Sequence, residues 1–321
     1  MLHVVRDAFM KYSTRKIWLN GKILPLTDAK ICVLSPTAQF GANVFEGIRC
    51  YWNAEKETLL AFKLNEHFDR LERSLKMFRL KCPYPRQDWL RYIKEIIKAN
   101  NYKEDIAIRQ TVFVDGDEGS WFSEEPVGMF IAPIAKSRKS SPLASGISCC
   151  ISTWERISDR NLSPKIKAGA NYINSRMAQL EARRNGFDSA LFMNQAGHIA
   201  EGPGACFFMV RDNCIITPPL SASILESITR KVILEIASTV LSYKVIERPI
   251  DRTELYICDE AFLCGSAAEV TPITNIDGYT IGSGKPGNLT IQLHNKYLLA
   301  IEGRLEGYQE WVTPVLTSEH F

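Results

Sequence analysis

The sequence predicts a mixed α/β (α+β) protein built as two domains. Three observations carry that expectation. Apolar runs of strand length recur in both halves, separated by stretches whose apolar residues repeat at helical spacing. At 321 residues the chain is too long for one small core and suits one large or two ordinary domains. Residues 135–146 then change character, with Lys136, Ser137, Arg138, Lys139, Ser140, Ser141 and Pro142 forming a polar, proline-bearing run typical of linkers. The expected division is a smaller α/β domain over 1–134, a linker over 135–146 and a larger α/β domain over 147–321.

Each element follows from local signals. Residues 16–23 read as a hairpin, with Asn20-Gly21 supplying the turn. Residues 35–45 are small and polar and lead into a strand over 46–52. A buried strand over 58–64 precedes a helix that Asn65 opens as N-cap. Phe68, Leu71, Leu75 and Phe78 share one face of that helix. A second helix is expected over 87–98, then strands over 105–114 and 127–134 around a Gly/Asp-rich loop that contains Trp121. In the second half a strand over 147–152, a helix over 171–184 and a strand over 188–194 follow one another. A long helix after Leu225 carries Ile228, Val232, Ile236 and Val240 on one face. Asp251-Arg-Thr-Glu254 has the form of a capping box, 261–264 is a strand, and a last helix covers 288–305.

Composition removes several classes of function. The net charge of +3 is small and the basic residues are scattered, without the Lys/Arg stripe that nucleic-acid binding needs. No membrane partner is expected, because the start lacks a signal-peptide core and no stretch is long and apolar enough to span a bilayer. The nine cysteines include no C-x-x-C and lie in apolar runs, as Cys206 does before Phe207 and Phe208. They read as buried thiols of a reducing, cytoplasmic protein. The five histidines show no metal-ligand spacing, so no metal is expected.

Chemistry concentrates in residues 164–204. Lys167 is followed by Ala168, Gly169 and Ala170, small residues that let another molecule approach the backbone. Tyr172 stands five residues on, and Glu201 sits at the lip of the turn Glu201-Gly-Pro-Gly204. A lysine that forms an imine with an aldehyde must be partly desolvated so that its amine is neutral and nucleophilic. The residues alone leave a second reading open, in which Lys165 and Lys167 are solvated loop charges.

Lys167-Ala-Gly-Ala-Asn-Tyr172, Glu201-Gly-Pro-Gly204 and Gly265-Ser-Ala-Ala-Glu269 follow one another in an order and spacing that is not unique to this chain. Joined by Phe45-Glu-Gly-Ile-Arg49, Glu66-His67, Arg70-Leu71, Glu181-Ala-Arg-Arg184 and Thr271-Pro272, they resemble the fold-type IV (class IV) pyridoxal-phosphate enzymes. The likeness is to the branched-chain amino-acid aminotransferases and runs from about residue 17 to 298. It implies the two-domain fold-type IV architecture of the D-amino acid aminotransferase kind. It also implies pyridoxal 5'-phosphate as cofactor, and a homodimer in which each site borrows residues from its neighbour.

The resemblance also implies roles. Lys167 matches the lysine that holds the cofactor as an imine and moves the proton at the substrate α-carbon. Glu201 matches the partner of the pyridine nitrogen, and Tyr172 matches the tyrosine that bonds the cofactor's 3'-oxygen. The phosphate elements depart from the pattern. Asn65 stands where an arginine is usual before the Glu-His pair, and the second element reads Leu225-Glu-Ser-Ile-Thr-Arg230. There Ser227, Ile228 and Thr229 open a helix whose N–H groups can hold an anion, and the hydroxyls of Ser227 and Thr229 are expected to compensate for Asn65. Ser266 and Ala267 match the turn that receives the substrate carboxylate and that Gly265 begins. Phe45 and Arg109 match residues that face the substrate, Arg109 being the one that accepts a distal carboxylate. Phe40 and Ala107 replace two pocket tyrosines, and Ile134 and Ser137 replace lid aromatics. Arg138 and Lys139 then suggest a basic lid, unless Trp121 or Tyr51 fills the gap.

The implied activity is a transaminase that passes the amino group of an L-α-amino acid to a 2-oxo acid such as 2-oxoglutarate in two ping-pong half-reactions. The donor is branched-chain or a related, more polar amino acid. Two alternatives stay open: a specialised relative with altered chemistry (a lyase or a D-amino acid transaminase), and a non-catalytic relative with weakened cofactor binding, for which Asn65 argues.

Overall fold

Strand-forming runs in the first half of the chain build a seven-stranded sheet. The computed structural model describes residues 14–138 and 142–316. Its strands fall into two sheets, each within its own unit.

Among the described residues the first unit draws on 14–137, 168–170 and 310–316. It begins with the hairpin of β1 (Lys16–Leu19) and β2 (Lys22–Pro25), closed by Asn20 and Gly21, both at positive φ as a two-residue turn requires. After the short helix α1 (Pro36–Phe40) come β3 (Asn43–Asn53) and β4 (Thr58–Phe62). The helices α2 (Leu64–Phe78) and α3 (Arg86–Asn100) follow, then β5 (Ile106–Val114) and β6 (Val127–Ala135). The strand order is β16-β4-β3-β5-β6-β1-β2, where β16 is Val312–Leu316. Residues 310–316 therefore belong with the first sheet, not with a continuous 147–321 block. Val315 and Leu316 bury themselves there, and Val312 to Leu316 pair antiparallel with β4. Residues 168–170 join the same unit because Ala168 bridges Val44 and the Gly169 N–H donates to the Asn43 carbonyl at 3.1 Å. A Cβ on Gly169 would lie 2.5 Å from the Asn43 side chain, so only glycine fits this approach.

Alternation along β3 sends Glu46, Ile48 and Cys50 to one face and Phe45, Arg49 and Tyr51 to the other. On the first face, α2 buries His67, Phe68, Leu71 and Leu75, and Phe68 meets Trp89 of α3 edge-on at 5.3 Å. The expected N-cap role of Asn65 is not what forms. The helix starts at Leu64 behind Lys63, whose φ of 53° provides the turn, and Asn65 lies exposed in the first helical turn.

Among the described residues the second unit draws on 138, 142–167 and 171–309. Its elements are α4 (Pro142–Ser145), β7 (Ile147–Ile151), α5 (Tyr172–Arg184), β8 (Ser189–Leu191), β9 (Glu201–Gly202), β10 (Ala205–Arg211) and β11 (Cys214–Thr217). These are followed by α6 (Ile228–Glu235), β12 (Lys244–Glu247), β13 (Glu260–Gly265), β14 (Glu269–Ile276), β15 (Tyr279–Thr280) and α7 (Asn288–Ile301). The main sheet order is β12-β11-β10-β13-β14-β7-β8, with β15 on β14 and β9 on β10. One face carries an apolar core that includes Phe207, Met209, Leu255 and Leu263. On the other, Ala178 and Ala182 of α5 lie against Ala190, Phe192 and Ala200. Those alanines bring the helix close to the sheet.

Two helices end differently from the sequence pattern. After Glu235 the chain widens into a π-helical turn (Ile236–Val240), where the Ser238 hydroxyl donates to the Leu234 carbonyl at 2.8 Å. The last helix stops at Ile301, because Gly303 takes a φ of 68°. The capping residues near 251 do form, with Glu254 accepting the Asp251 N–H at 3.1 Å at the head of a short 3₁₀ helix. All nine cysteines are free, and among the described residues no helix is long and apolar enough to cross a membrane.

Candidate active site

Lys167 leaves the loop before α5, and Asn171 fixes that loop. The Asn171 amide donates to the carbonyls of Ser163 and Ile166, each at 2.9 Å, which folds the chain back immediately before the lysine. Tyr172 then opens α5, and the Lys167 Nζ donates to its hydroxyl at 2.9 Å. The lysine is half-buried and Tyr172 is 37 % exposed, so the amine and the phenol stand together at an accessible surface. The five-residue spacing places the pair because the helix begins at the tyrosine itself.

Glu201 is buried at the start of β9. Its Oε1 accepts from the Arg156 Nε at 2.9 Å and the Leu225 N–H at 3.2 Å, and the Arg156 Nη2 stands 2.8 Å from the same oxygen as an ion pair. The Cys206 thiol lies 3.8 Å from Oε2. Burial pushes the Glu201 carboxyl upward. Arg156, the Leu225 N–H and the charge of Lys167 pull it back, and the net displacement is upward. Arg156 also reaches Asn174 on α5 at 3.2 Å, which ties the acid to the helix that carries Tyr172. Arg156 escaped the sequence reading. It is one arginine in an irregular loop, and nothing in its neighbours' pattern sets it apart.

The start of α6 gives the third part. Ser227 is its N-cap, with its hydroxyl accepting the Arg230 N–H at 3.2 Å, so that oxygen caps the helix as well as being available to an anion. The first N–H groups of an α-helix have no partner inside it, and here they belong to Ile228 and Thr229. The Leu225 N–H bond to Glu201 anchors this segment to the acid. Ser266 and Ala267 form the turn between β13 and β14, whose end is closed by the Gly265 and Glu269 register and by the Thr271 hydroxyl donating to the Ala268 carbonyl at 2.7 Å. A Cβ on Gly265 would stand 3.2 Å from the Gly204 carbonyl, so this turn abuts the one that Glu201 begins.

The substrate-side candidates lie on the first sheet. Phe45, Gly47 and Arg49 of β3 oppose Thr111, Arg109 and Ala107 of β5, all on the face away from α2. The Arg109 guanidinium lies over the Phe45 ring at 4.2 Å, so those two candidates meet. Phe40 ends α1 and is half exposed. Among the described residues the exposed Asn65 shares no hydrogen bond with the other candidates of this unit.

The lid expectation changes. Arg138 bonds Glu302 at 2.5 Å and is tied down in its own unit, while Lys139 lies outside the described residues. Trp121 is 72 % exposed and meets Phe122 edge-on, and Tyr51 is buried in β3.

A second polar cluster was visible in the motifs but carried no assigned role. Buried Glu46 accepts from the Arg70 Nε and Nη2, each at 2.7 Å, and from the His67 Nδ1 at 2.6 Å. Burial alone would raise Glu46, but Arg70 and His67 hold it well below the usual carboxylate range. The signal was there: His67 and Arg70 share the apolar face of α2 with Phe68, Leu71 and Leu75.

Comparison with known proteins identifies the family. Residues 43–276 match the family model for class IV amino-transferases. A probable branched-chain-amino-acid aminotransferase of Aquifex aeolicus is 34% identical over 298 residues, covering 93% of this chain and 96% of the relative. The branched-chain amino acid aminotransferase of Thermobaculum terrenum in its PLP form superimposes with a TM-score of 0.89 at 37% identity, covering 95% of this chain and 100% of that one. The branched-chain aminotransferase of Thermoproteus uzoniensis with norvaline gives 0.88 at 37% identity, covering 94% of this chain and 99% of that one. The chain belongs to the class IV aminotransferase family, with branched-chain amino-acid aminotransferases as its relatives, and has that family's fold-type IV architecture.

Proposed function

We propose that the protein is a pyridoxal 5'-phosphate-dependent transaminase in which Lys167 carries the cofactor and moves the proton at the substrate α-carbon. The observation that carries this reading is the 2.9 Å contact of the Lys167 amine with the Tyr172 hydroxyl, in the same unit as the buried, arginine-held Glu201. The donor set suits the group: a primary amine, a phenol, a buried carboxylate with one oxygen little engaged, and a helix N-terminus at Ile228 and Thr229 for a phosphate.

When bound, the cofactor's cationic ring withdraws the electron pair released at the α-carbon. Every other task falls to side chains of this protein. Lys167 accepts the α-proton and returns it. Tyr172 holds the amine in place and offers a hydroxyl to the cofactor's 3'-oxygen. Glu201 accepts a ring N–H. Ser227, Ile228 and Thr229 hold the phosphate through N–H and hydroxyl groups, and the turn at Ser266 and Ala267 receives the substrate carboxylate.

For the substrate side chain we assign Phe45, Phe40, Ala107 and Arg109. The relatives' names favour a branched-chain L-amino acid. The exposed Arg109 over Phe45 favours admitting a distal carboxylate as well, as a 2-oxoglutarate acceptor would need. We also propose a cytoplasmic homodimer.

The test is a loaded-protein spectrum with a donor panel. Added cofactor should give a yellow protein whose long-wavelength band bleaches with the true donor. Lys167→Ala should abolish that band and lower transamination by about two to four powers of ten. A variant that keeps both would overturn the reading.

A further inference from the structure

The two oxygens of Glu201 have different surroundings. Oε1 accepts two N–H groups, one from the Arg156 Nε and one from Leu225, and has the Arg156 Nη2 as a close ion-pair contact. Among the described residues Oε2 has only the Cys206 thiol, at 3.8 Å, and that sulfur is about equally near the Leu225 carbonyl at 3.9 Å. A thiol is a weak donor, so it leaves most of the accepting capacity of Oε2 unused.

We infer that Arg156 is a positioning residue that locks Glu201 through Oε1, and that Oε2, beside Cys206, is the atom reserved for the ring N–H of the cofactor. The inference rests on the proposed function and refines it. Arg156 acts through Glu201 and is itself fixed by Asn174 and by the Phe192 ring, 5.5 Å from its guanidinium.

Two physical consequences follow. A carboxyl in so buried a place protonates readily unless a cation stands beside it, and a protonated carboxyl loses an acceptor. Arg156 is the cation in direct contact. Lys167 contributes a weaker pull, while Cys264, opposite Cys206 on the next strand, and Arg230 near Cys264 complete the titratable surroundings. Second, the Arg156 Nε and the Leu225 N–H hold Oε1 together, which restricts where Oε2 can lie more than a lone charge would.

The test compares binding of pyridoxal 5'-phosphate with its 1-deaza analogue, in which the ring nitrogen is a C–H. The natural cofactor should bind the parent protein about tenfold tighter, the size expected for one charge-assisted hydrogen bond. In Arg156→Met that ratio should collapse toward one, and Arg156→Lys should restore part of it. A merely structural role would weaken both ligands alike and leave the ratio intact. Cys206→Ser, which puts a stronger donor on Oε2, should lower the ratio several-fold without touching Arg156, and it serves if Arg156→Met does not fold. An unchanged ratio in either variant overturns the inference, and so does a parent protein that binds both ligands equally. Failure of the transaminase reading looks different: the parent would bind neither ligand and transfer no amine.

Discussion

Lys167 and Ser227 place opposite demands on a sequence reader. The lysine stands out through its neighbours Ala168, Gly169 and Ala170 only once the wider motif order is added, and what closely approaches Gly169 is the chain's own Asn43, which leaves no room for a Cβ. Ser227 needed the folded helix, because only there does its hydroxyl receive the Arg230 N–H. Its capping duty makes a clean experiment possible. Glycine at an N-cap costs only a few tenths of a kcal/mol relative to serine, so Ser227→Gly should leave thermal stability nearly unchanged. If the hydroxyl also serves the cofactor phosphate, the dissociation constant measured by fluorescence titration should rise several-fold. An unchanged constant would remove Ser227 from the phosphate site. Arg156 marks the limit of reading at this scale. Its importance comes from a contact with Glu201, forty-five positions away, and no local pattern encodes such a meeting.

Periodicity carried well at the scale of elements, and its misses have physical causes. The hairpin at Asn20 and Gly21, the face of α2 with Phe68, Leu71 and Leu75, and the start of α5 were all written locally. The start of α2 was not, because Lys63 takes a left-handed conformation that propensity disfavours. Strand β16 was hidden too, since a five-residue strand at a sheet edge has no periodic signature. The bond between β3 and α2 rests on Glu46, Arg70 and His67, all buried. Breaking one member of such a cluster leaves a charge without its partner and costs about 3–5 kcal/mol. Glu46→Ala should therefore lower the unfolding free energy by that order in urea denaturation. The same cluster sets an acid limit. The folded-state pKa of Glu46 is depressed, so its contribution is fully present above the ordinary value of 4.5 and is lost as pH falls below it. The parent protein should lose stability across that range more steeply than a Glu46→Gln variant. Parallel acid profiles would contradict the assignment.

Whole-molecule organisation was legible as a class and less so as a partition. Two sheets in two units match the expected mixed architecture, yet the first unit takes back residues 168–170 and 310–316 from the second half of the chain. No composition shift could reveal that return, because it is decided by strand pairing between distant segments. Exposed apolar side chains of the first unit, at Val33, Trp121 and Phe122, give the proposed homodimer apolar surface to cover. Sedimentation velocity should give a dimer at micromolar concentration, and Trp121→Lys with Phe122→Lys should weaken it if that loop lies in the contact. A fully active monomer would contradict the dimer.

Covalent attachment at one lysine is the point on which the catalytic reading stands. Borohydride reduction of the cofactor-loaded protein, followed by proteolysis and mass spectrometry, should leave a phosphopyridoxyl group on the side chain of Lys167 and on no other residue. Recovery of that label on Lys165, or of no labelled peptide from a protein that transfers amine, would contradict it.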